Sequence, residues 1–366
     1  MVDKRIIAFY LPQYHPFPEN DEWWGKGFTE WRNVVKARPL YRGHYQPHLP
    51  ADLGFYDLRV PEVRQQQADM ARMYGINGFC YYHYWFNGHQ LMERPLEEVS
   101  SGNPDFPFML CWANENWTRA WDGGSRHILI AQNYSEEDDR AHIRYLLDNV
   151  FSDSRYIRVD GKPVFLIYRS MLFPNMKETI RVWREEASSK GMELYLCRVE
   201  TMDCYGEEYL QDGFDAAVEF QPFTHQMNEF QKKRNPLRKF AYNINRHLFN
   251  TCKKKKIDYS EYVDYICKTP FPDYKMYPGV TPMWDNTSRR KQKMFILDKS
   301  TPEKYGEWLY SVMNKFVPYS KDENFVFVNA WNEWAEGNHL EPDLKWGFRY
   351  LEETEKVVKS MQEGGF

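Results

Sequence analysis

Short apolar runs rich in Ile, Val, Phe and Tyr recur eight times along the chain, separated by longer polar or amphipathic stretches. The runs do not alternate cleanly between apolar and polar positions, which is typical of strands buried on both faces. They span residues 5–14, 75–86, 107–115, 162–169, 193–200, 215–221, 277–286 and 324–334. Eight such strands alternating with helices predict a (β/α)8 TIM barrel, formed as a single domain over residues 1–366.

Helical spacing of apolar residues is clearest over residues 59–74. Pro61 suits the first turn of this helix, Gly75 suits its end, and Asp57 is the candidate cap. Further helices are predicted over residues 136–151, 177–190, 303–316 and 346–362. The connection between the second and third strands offers only a shorter candidate, residues 91–101, so the alternation is imperfect there.

One stretch between the sixth and seventh strands departs from this rhythm. Between residues 230 and 257 there are ten basic residues and no acidic ones. We predict a basic helical insertion over residues 224–270 on the rim of the barrel. It is either a solvated helix pair, which we favour, or a docking site for an anionic polymer, a lipid surface or nucleic acid.

The overall charge argues against nucleic acid as the main partner. Lys and Arg number 48 against 52 Asp and Glu, a net charge of −4, whereas nucleic-acid binders usually carry a basic surface. Apolar runs reach about six residues, far short of the ~20 needed to span a bilayer, so no transmembrane segment is expected. The oligomeric state is left open.

Aromatic residues make up 17% of the chain, although its mean hydropathy is only −0.75. So many amphipathic rings beside so little hydrophobicity indicate a wet cleft whose aromatic faces stack on sugar rings. Core packing is an equally good account of any single ring.

The six cysteines include no C-x-x-C pair. Cys80, Cys111 and Cys197 lie inside apolar runs and are predicted to be buried free thiols. Few scattered cysteines in a long chain suit a reducing compartment. The first residues do not resemble a signal peptide, so we expect a cytoplasmic protein, or a periplasmic one if a signal peptide has been removed.

A barrel of this kind carries its active site at the carboxyl ends of its strands. All eight predicted strand ends combine aromatic with polar or charged residues, the chemistry that a polyhydroxylated substrate requires. The candidate substrate-binding residues are Tyr14, His15, His83, Tyr84, Trp85, Trp112, Asn114, Glu115, Trp117, Glu219, Trp284, Asp285, Arg289, Trp331, Asn332 and Trp334.

The sharpest local feature is the pair Glu333 and Glu336, which follows the last strand. Glycosidic bond hydrolysis commonly takes two carboxyl groups, one as acid and one as nucleophile or base. Three residues apart, the two side chains can face one pocket if the backbone turns at once. Repulsion and burial would then raise the pKa of one of them. The alternative is a pair of surface glutamates at a helix start, where acidic residues are favoured.

No metal or other cofactor is expected. His15, His83 and His339 with Glu341 could in principle hold a metal, but no two histidines have the spacing of a ligand pair. The chain contains no G-x-G-x-x-G and no P-loop motif, and no half of it has the doubly wound pattern of a nucleotide-sugar site.

Six motifs resemble the WbsX-type proteins, which look like relatives of glycoside hydrolase family 99, the endo-α-mannosidases. They are AFYLPQYH (8–15), WGKGFTEW (24–31), GFCYYHYWF (78–86), CWANENW (111–117), PGVTPMWDN (278–286) and NAWNEWAEG (329–337). The resemblance covers nearly the whole chain. WbsX-type proteins carry a glycosyltransferase label because they occur among genes for polysaccharide assembly.

The family 99 resemblance implies a (β/α)8 barrel and a retaining hydrolase with an E-W-x-E motif. Carried over residue by residue, Glu333 would take the proton of the sugar 2-hydroxyl, which attacks the anomeric carbon to give a 1,2-anhydro sugar. Glu336 would protonate the leaving oxygen and then activate water. Ala335 stands where the hydrolases commonly carry His, which leaves the identity of the sugar open.

We therefore expect a retaining, family 99-like glycoside hydrolase of endo-α-mannosidase type that acts on a bacterial or host polysaccharide. The first alternative is a WbsX-type glycosyltransferase or transglycosylase in O-antigen or capsular polysaccharide biosynthesis. The second is a non-catalytic glycan-binding protein. A substrate soak separates the three by released reducing ends, longer products, or binding without turnover.

Overall fold

The apolar runs form the strands of a barrel in the computed structural model, which describes residues 3–119, 124–234, 254–291 and 293–363. The strands are all parallel, and β1 lies between β2 and β8. The (β/α)8 barrel predicted from the sequence is confirmed. Its strands are β1 (Arg5–Tyr10), β2 (Gly78–Phe86), β3 (Phe108–Trp112), β4 (Lys162–Ile167), β5 (Tyr195–Glu200), β6 (Ala216–Glu219), β7 (Met276–Tyr277 and Gly279–Val280) and β8 (Phe325–Val328).

The barrel closes through β7, which Pro278 divides into two halves. The first half pairs with β6 and the second with β8. Proline has no amide hydrogen to donate, but its carbonyl still accepts from the Phe327 amide at 2.9 Å. At the gap, the Gly279 amide donates to Glu219 Oε2 at 2.9 Å. A buried carboxyl group thus replaces a backbone acceptor where the ladder is interrupted.

Several strands are shorter than the sequence predicts. The run 277–286 leaves the barrel at Val280, close to Pro282, whose missing amide hydrogen disfavours a central strand. Trp284–Asp285 instead joins a separate sheet with Met294–Asp298 and Lys254–Asp258. The remaining short strands are His89–Leu91, Trp117–Arg119, Gly124–Ile130, Arg158–Val159, Asn332–Glu333 and Asn338–His339.

The predicted helices form with small shifts of their ends. Ser135 caps its helix by accepting from the Asp138 amide at 3.2 Å. Asp57 was wrongly predicted as a cap: the helix begins after Val60, and Asp57 accepts instead from the Arg59 amide.

None of the described helices is long and apolar enough to cross a bilayer. Their bounds are Pro18–Trp24, Trp31–Lys36, Pro61–Met73, Glu93–Ser100, Glu136–Asn149, Met176–Ser189, Tyr209–Asp212, His225–Arg234, Tyr259–Ile266, Pro302–Lys315 and Arg349–Gln362.

Much of the predicted basic insertion, residues 235–253, lies outside the described residues. On either side, His225–Arg234 is a helix after β6, and Tyr259–Ile266 is a helix before β7. The basic run at 254–256 belongs to the strand Lys254–Asp258, so this part is extended where a helix was predicted.

The barrel interior is filled by small thiols and stacked rings. Cys80, Cys111 and Cys197 are fully buried free thiols, as predicted. Towards the carboxyl ends of the strands, the Phe9 ring centroid lies 5.7 Å from that of Tyr82 and 5.2 Å from that of Phe220. These rings close the barrel below the candidate site.

Substitution of Gly279 by alanine tests the closure of the barrel. An added Cβ would collide with the backbone carbonyl of Glu219 on the neighbouring strand, which cannot move without opening the ladder. We expect a loss of about 1–3 kcal/mol in the free energy of unfolding, measured by chemical denaturation.

Gly306→Ala is the matched control. There the nearest atom ends the flexible side chain of Glu353, and the position is helical, so alanine should be neutral or stabilise by up to about 1 kcal/mol. Equal losses in the two variants would show that closure through β7 is not what limits stability.

Candidate active site

A cleft of about 530 Å³ opens at the carboxyl ends of the barrel strands. Its size falls within the range of ordinary small-molecule sites. Its walls combine aromatic rings with four acidic and four basic side chains. The lining includes Gln13, Tyr82, Tyr84, Glu115, Trp117, Tyr168, Arg169, Asp203, Phe220, Phe223, Trp284, Asn286, Arg289, Arg290, Lys293, Phe295, Glu333 and Glu336.

Glu333 and Glu336 enter this cleft from a tight hairpin after β8. Asn332–Glu333 pairs antiparallel with Asn338–His339, and a 3₁₀ turn over Trp334–Glu336 joins the two short strands. Side chains three residues apart eclipse in a 3₁₀ turn, so both glutamates lie on one face. Gly337 completes the turn at φ 54°, where a Cβ would meet the Asp285 backbone. The tight turn of this hairpin therefore places the two carboxyl groups next to each other.

Buried hydrogen bonds fix this hairpin to the rest of the barrel. The Tyr14 hydroxyl donates to the Asn332 carbonyl at 2.7 Å and accepts from the Trp334 amide at 3.0 Å. The Asn332 amide oxygen accepts from the Leu11 amide at the end of β1. The Trp334 indole donates to Glu341 at 2.6 Å. Tyr14, Asn332 and Trp334, predicted to bind substrate, lie behind the lining and hold the turn.

Burial favours the protonated form of Glu333. Its pKa is raised well above the ordinary value, first by loss of hydration and then by Glu336, to which it hydrogen-bonds. The Tyr82 hydroxyl also bonds Glu333 and favours its charged form, but does not offset the burial. The two carboxyl groups therefore lie close enough to interact, and the interaction adds to the effect of burial on the pKa of Glu333.

Arg289 forms an ion pair with Glu336. Arg289 Nε donates to Glu336 Oε1 at 3.0 Å, and a terminal nitrogen of the same guanidinium makes a second contact with that oxygen. Another terminal nitrogen lies 3.8 Å from Glu30, a fully buried carboxyl group. Burial, followed by Glu336, raises the pKa of Glu30. One buried guanidinium thus contacts two carboxyl groups.

Three of the predicted aromatic residues line the cleft. The Tyr84 ring lies 5.3 Å from that of Trp117 in an edge-on contact, and Trp284 meets Phe223 edge-on at 4.6 Å. Trp284 Nε1 is buried and has no hydrogen-bond partner among the described residues, so it is a donor available to a bound hydroxyl. Glu115 and Arg169, which also line the cleft, form an ion pair at 3.2 Å.

His83, Trp85 and Trp112 point to the outer face of the barrel. Successive residues of a strand face opposite sides, so Tyr82 and Tyr84 reach the cleft while their neighbours pack against the helices. His83 Nε2 lies 2.9 Å from a helix histidine, and the Trp85 indole donates to a helix aspartate at 2.9 Å. The Trp112 indole donates to the Trp85 carbonyl. These three residues connect the barrel to its outer layer.

The other candidates outside the lining have structural contacts. Asn114 binds the backbone at the end of β4, and Asp285 lies 2.6 Å from a buried histidine ring. Glu219 fills the gap in β7 and has a pKa raised by burial to about 7. Trp331 is fully buried, and burial lowers the pKa of His15 to about 4.

Sequence reasoning missed Tyr82 and Gln13 as lining residues. Tyr82 is the more consequential because it hydrogen-bonds Glu333. The available signal was the two-residue period of β2: once Tyr84 is placed in the cleft, Tyr82 must share its face.

The family model described as glycosyltransferase WbsX matches residues 6–354. Two relatives, both the uncharacterized protein WxcX from strains of Xanthomonas campestris pv. campestris, are 41% identical over 359 residues. The alignment covers 96% of this chain and 49% of each relative. The chain thus spans about half the length of the curated relatives it matches.

Solved structures share the fold at low sequence identity. The GH99 endo-α-mannosidase of Bacteroides thetaiotaomicron aligns with a TM-score of 0.57 and 16% identity over 99% of both chains. Its complex with BIS-TRIS-propane gives 0.58 and 15% over the same coverage. A glycoside hydrolase-like protein gives 0.59 and 15% over 98% of this chain and 94% of its own.

Opposite effects on stability are expected from neutralising the two glutamates. Ionising Glu333 costs stability as pH rises above the ordinary glutamate range, because the folded protein holds that proton more tightly than the unfolded chain. Glu333→Gln should therefore unfold a few degrees above the wild type at pH 8, with the difference shrinking towards pH 5.

Glu336→Gln, the matched comparison, removes the carboxylate bound to buried Arg289 and should unfold at a lower temperature at both pH values. Thermal unfolding followed by circular dichroism measures both. Destabilisation of both variants at pH 8 would contradict this assignment of the proton.

Proposed function

The chain belongs to the WbsX glycosyltransferase family, and from that premise we propose that it is a retaining glycoside hydrolase acting on an α-linked polysaccharide. Family and fold alone make it a member of a carbohydrate-active group. The observation that carries the finer proposal is the contact between Glu333 and Glu336 at the head of an aromatic cleft. Two carboxyl groups so placed are the equipment for cleaving a glycosidic bond.

The substrate we propose is a bacterial or host polysaccharide with α-mannosidic or related bonds and a free 2-hydroxyl. Tyr84, Trp117 and Trp284 offer ring faces for its sugars, and the ion-paired wall of Glu115 and Arg169 offers hydrogen bonds to hydroxyl groups. The Bacteroides thetaiotaomicron protein, an endo-α-mannosidase with the same fold, suggests the linkage.

The first step follows the route that the family 99 resemblance implies. Glu333 takes the proton of the 2-hydroxyl, whose oxygen attacks the anomeric carbon. The bond from that carbon to the leaving oxygen breaks as Glu336 gives the leaving oxygen a proton. The products are a 1,2-anhydro sugar and the departing glycan.

The second step restores the enzyme. Glu336 takes a proton from water, which attacks the anomeric carbon. The bond between that carbon and the 2-oxygen breaks, and the 2-oxygen recovers its proton from Glu333. One water is consumed for each glycosidic bond that is cleaved. The anomeric configuration is retained because the anomeric carbon undergoes two displacements.

These roles need a proton on Glu336 and an ionised Glu333 when the substrate is bound, whereas burial raises the pKa of Glu333 in the free site. Because Glu333 hydrogen-bonds to Glu336, a proton can pass from one carboxyl group to the other without an intervening group. A sugar 2-hydroxyl beside Glu333 stabilises the carboxylate there, and Arg289 can turn towards Glu30 as Glu336 becomes neutral. The pH profile then reports the pair as a unit.

The family description itself favours a second candidate, glycosyl transfer in O-antigen or capsular polysaccharide assembly. If a sugar hydroxyl replaces water in the second step, the same two carboxyl groups give a transglycosylase. The test is incubation with a panel of bacterial polysaccharides and α-mannosides, with and without added acceptor sugars. New reducing ends indicate hydrolysis, longer products indicate transfer, and binding without either indicates a glycan-binding protein.

Loss of either glutamate should abolish turnover on any substrate the panel identifies. Glu333→Gln and Glu336→Gln remove the base and the acid, and each should lower kcat by about 10²–10⁴-fold. Glu62→Gln, an exposed glutamate on an outer helix, is the matched control and should be unchanged. Near-normal activity in either cleft variant would defeat the proposed mechanism.

The effect of replacing a tryptophan should depend on whether its ring lines the cleft or packs on the outer face of the barrel. Trp117→Ala and Trp284→Ala remove rings from the cleft lining and should raise KM by about 2- to 10-fold. Trp112→Ala empties a fully buried outer site and should cost about 3–5 kcal/mol of stability. Steady-state kinetics and denaturation separate the two effects. An unchanged KM in both cleft variants would remove the stacking platform from the proposal.

A further inference from the structure

A second group of chemically active side chains lies behind the hairpin that carries the glutamates. His48 Nδ1 lies 3.0 Å from His339 Nε2, which lies 3.8 Å from Asp343 Oδ2. All three residues are at most 5% exposed. Within the described ranges, they are the one group of three such side chains whose donor atoms lie within 4.8 Å of one another.

The hydrogen bonds around His339 leave a lone pair facing this group. His339 Nδ1 lies 2.9 Å from the Glu341 carbonyl oxygen, which can only accept, so Nδ1 carries the hydrogen of the neutral ring. His339 Nε2 is then unprotonated and points at His48 and Asp343. A histidine that donates its far nitrogen to a carbonyl is the usual arrangement of a metal ligand.

Only one of the two carboxylate oxygens of Asp343 accepts backbone hydrogen bonds. Its Oδ1 accepts from the backbone amides of Lys345 at 2.9 Å and Trp346 at 2.6 Å. Its Oδ2, which faces His339, has no hydrogen-bond partner among the described residues although it is buried. A buried, unpartnered carboxylate oxygen beside an imidazole lone pair calls for a positive charge between them.

We propose that His48, His339 and Asp343 form a metal site for a Zn²⁺-like transition cation, bound through His48 Nδ1, His339 Nε2 and Asp343 Oδ2. Ligand bonds of 2.0–2.1 Å in a tetrahedron place ligand atoms about 3.3 Å apart, and the observed 3.0 and 3.8 Å lie on either side of that value. Two imidazoles and one carboxylate suit zinc better than calcium or magnesium, which prefer oxygen donors.

The fourth coordination position and the access route are provided by an adjoining cavity of about 260 Å³, lined by His48, Tyr45 and Lys345. Water completes the shell there. The hydrogen that His48 Nδ1 otherwise shares with His339 moves to His48 Nε2 when the ion binds, so the ring changes tautomer and stays neutral.

The site acts on the glutamate hairpin through stacking. The His339 ring lies 3.7 Å from the Trp334 indole, nearly parallel at 15°, and Trp334 stands between the two glutamates in sequence. His339 also pairs with Asn332 across the hairpin. A cation on His339 therefore fixes the strand that carries Glu333 to the segment around His48. Its binding is independent of the reaction proposed above.

The test is titration of chelator-treated full-length protein with ZnCl₂ alone, followed by calorimetry and elemental analysis. We expect one ion per chain and a rise in unfolding temperature with added Zn²⁺. Co²⁺ in place of Zn²⁺ should give the visible absorption of a tetrahedral site. CaCl₂ and MgCl₂ should have no effect. A wild-type chain that takes up no stoichiometric Zn²⁺ would overturn the proposal.

Asp343→Asn and His48→Gln locate the ion. Asparagine at 343 keeps the Oδ1 acceptor for the two backbone amides while losing the charge, so folding should persist. Both variants should bind Zn²⁺ at least about 10-fold more weakly. The matched control is His83→Gln, in a second buried histidine pair at 2.9 Å that has no carboxylate in its group. It should bind as the wild type does. Equal binding by all four proteins would show adventitious surface histidines and refute the site.

Discussion

The candidate active site depends on one buried guanidinium surrounded by three carboxyl groups. Arg289 forms an ion pair with Glu336, while burial raises the pKa of both Glu30 and Glu333. Three carboxylates in such a site would repel one another beyond what a single cation offsets. The raised pKa values of Glu30 and Glu333 reduce this repulsion by favouring their neutral forms.

The barrel could be predicted from the sequence because strands buried on both faces are marked by composition alone. That same property hid the orientation of individual side chains. His83 and Tyr84 are neighbours in a fully buried run, and nothing in their chemistry says which one faces the cleft. The shared orientation of Glu333 and Glu336 could be predicted because both side chains lie at a turn and not within a buried strand. The β7 boundary was missed because Trp284 continues the apolar pattern after the chain has left the barrel.

Contacts between residues far apart in sequence were beyond the reach of pattern reasoning. His48 and His339 are separated by 291 positions. They lie close together because the long segment between β1 and the helix Pro61–Met73 packs against the chain that follows β8. Glu30, which faces Arg289, comes from the same segment. Many aromatic residues assigned to substrate, Trp334 among them, instead hold the hairpin in place. A site that must keep two carboxyl groups in contact needs that support as much as it needs a binding surface.

Trp284 forms part of the wall of two cavities, the cleft and the smaller chamber beside His48. The residue is 3% exposed, so its ring fills the space where both walls meet. A small residue at this position would merge them into a continuous trough. A single substitution at Trp284 would therefore let a relative with this fold accommodate a longer glycan segment without any change in the catalytic hairpin.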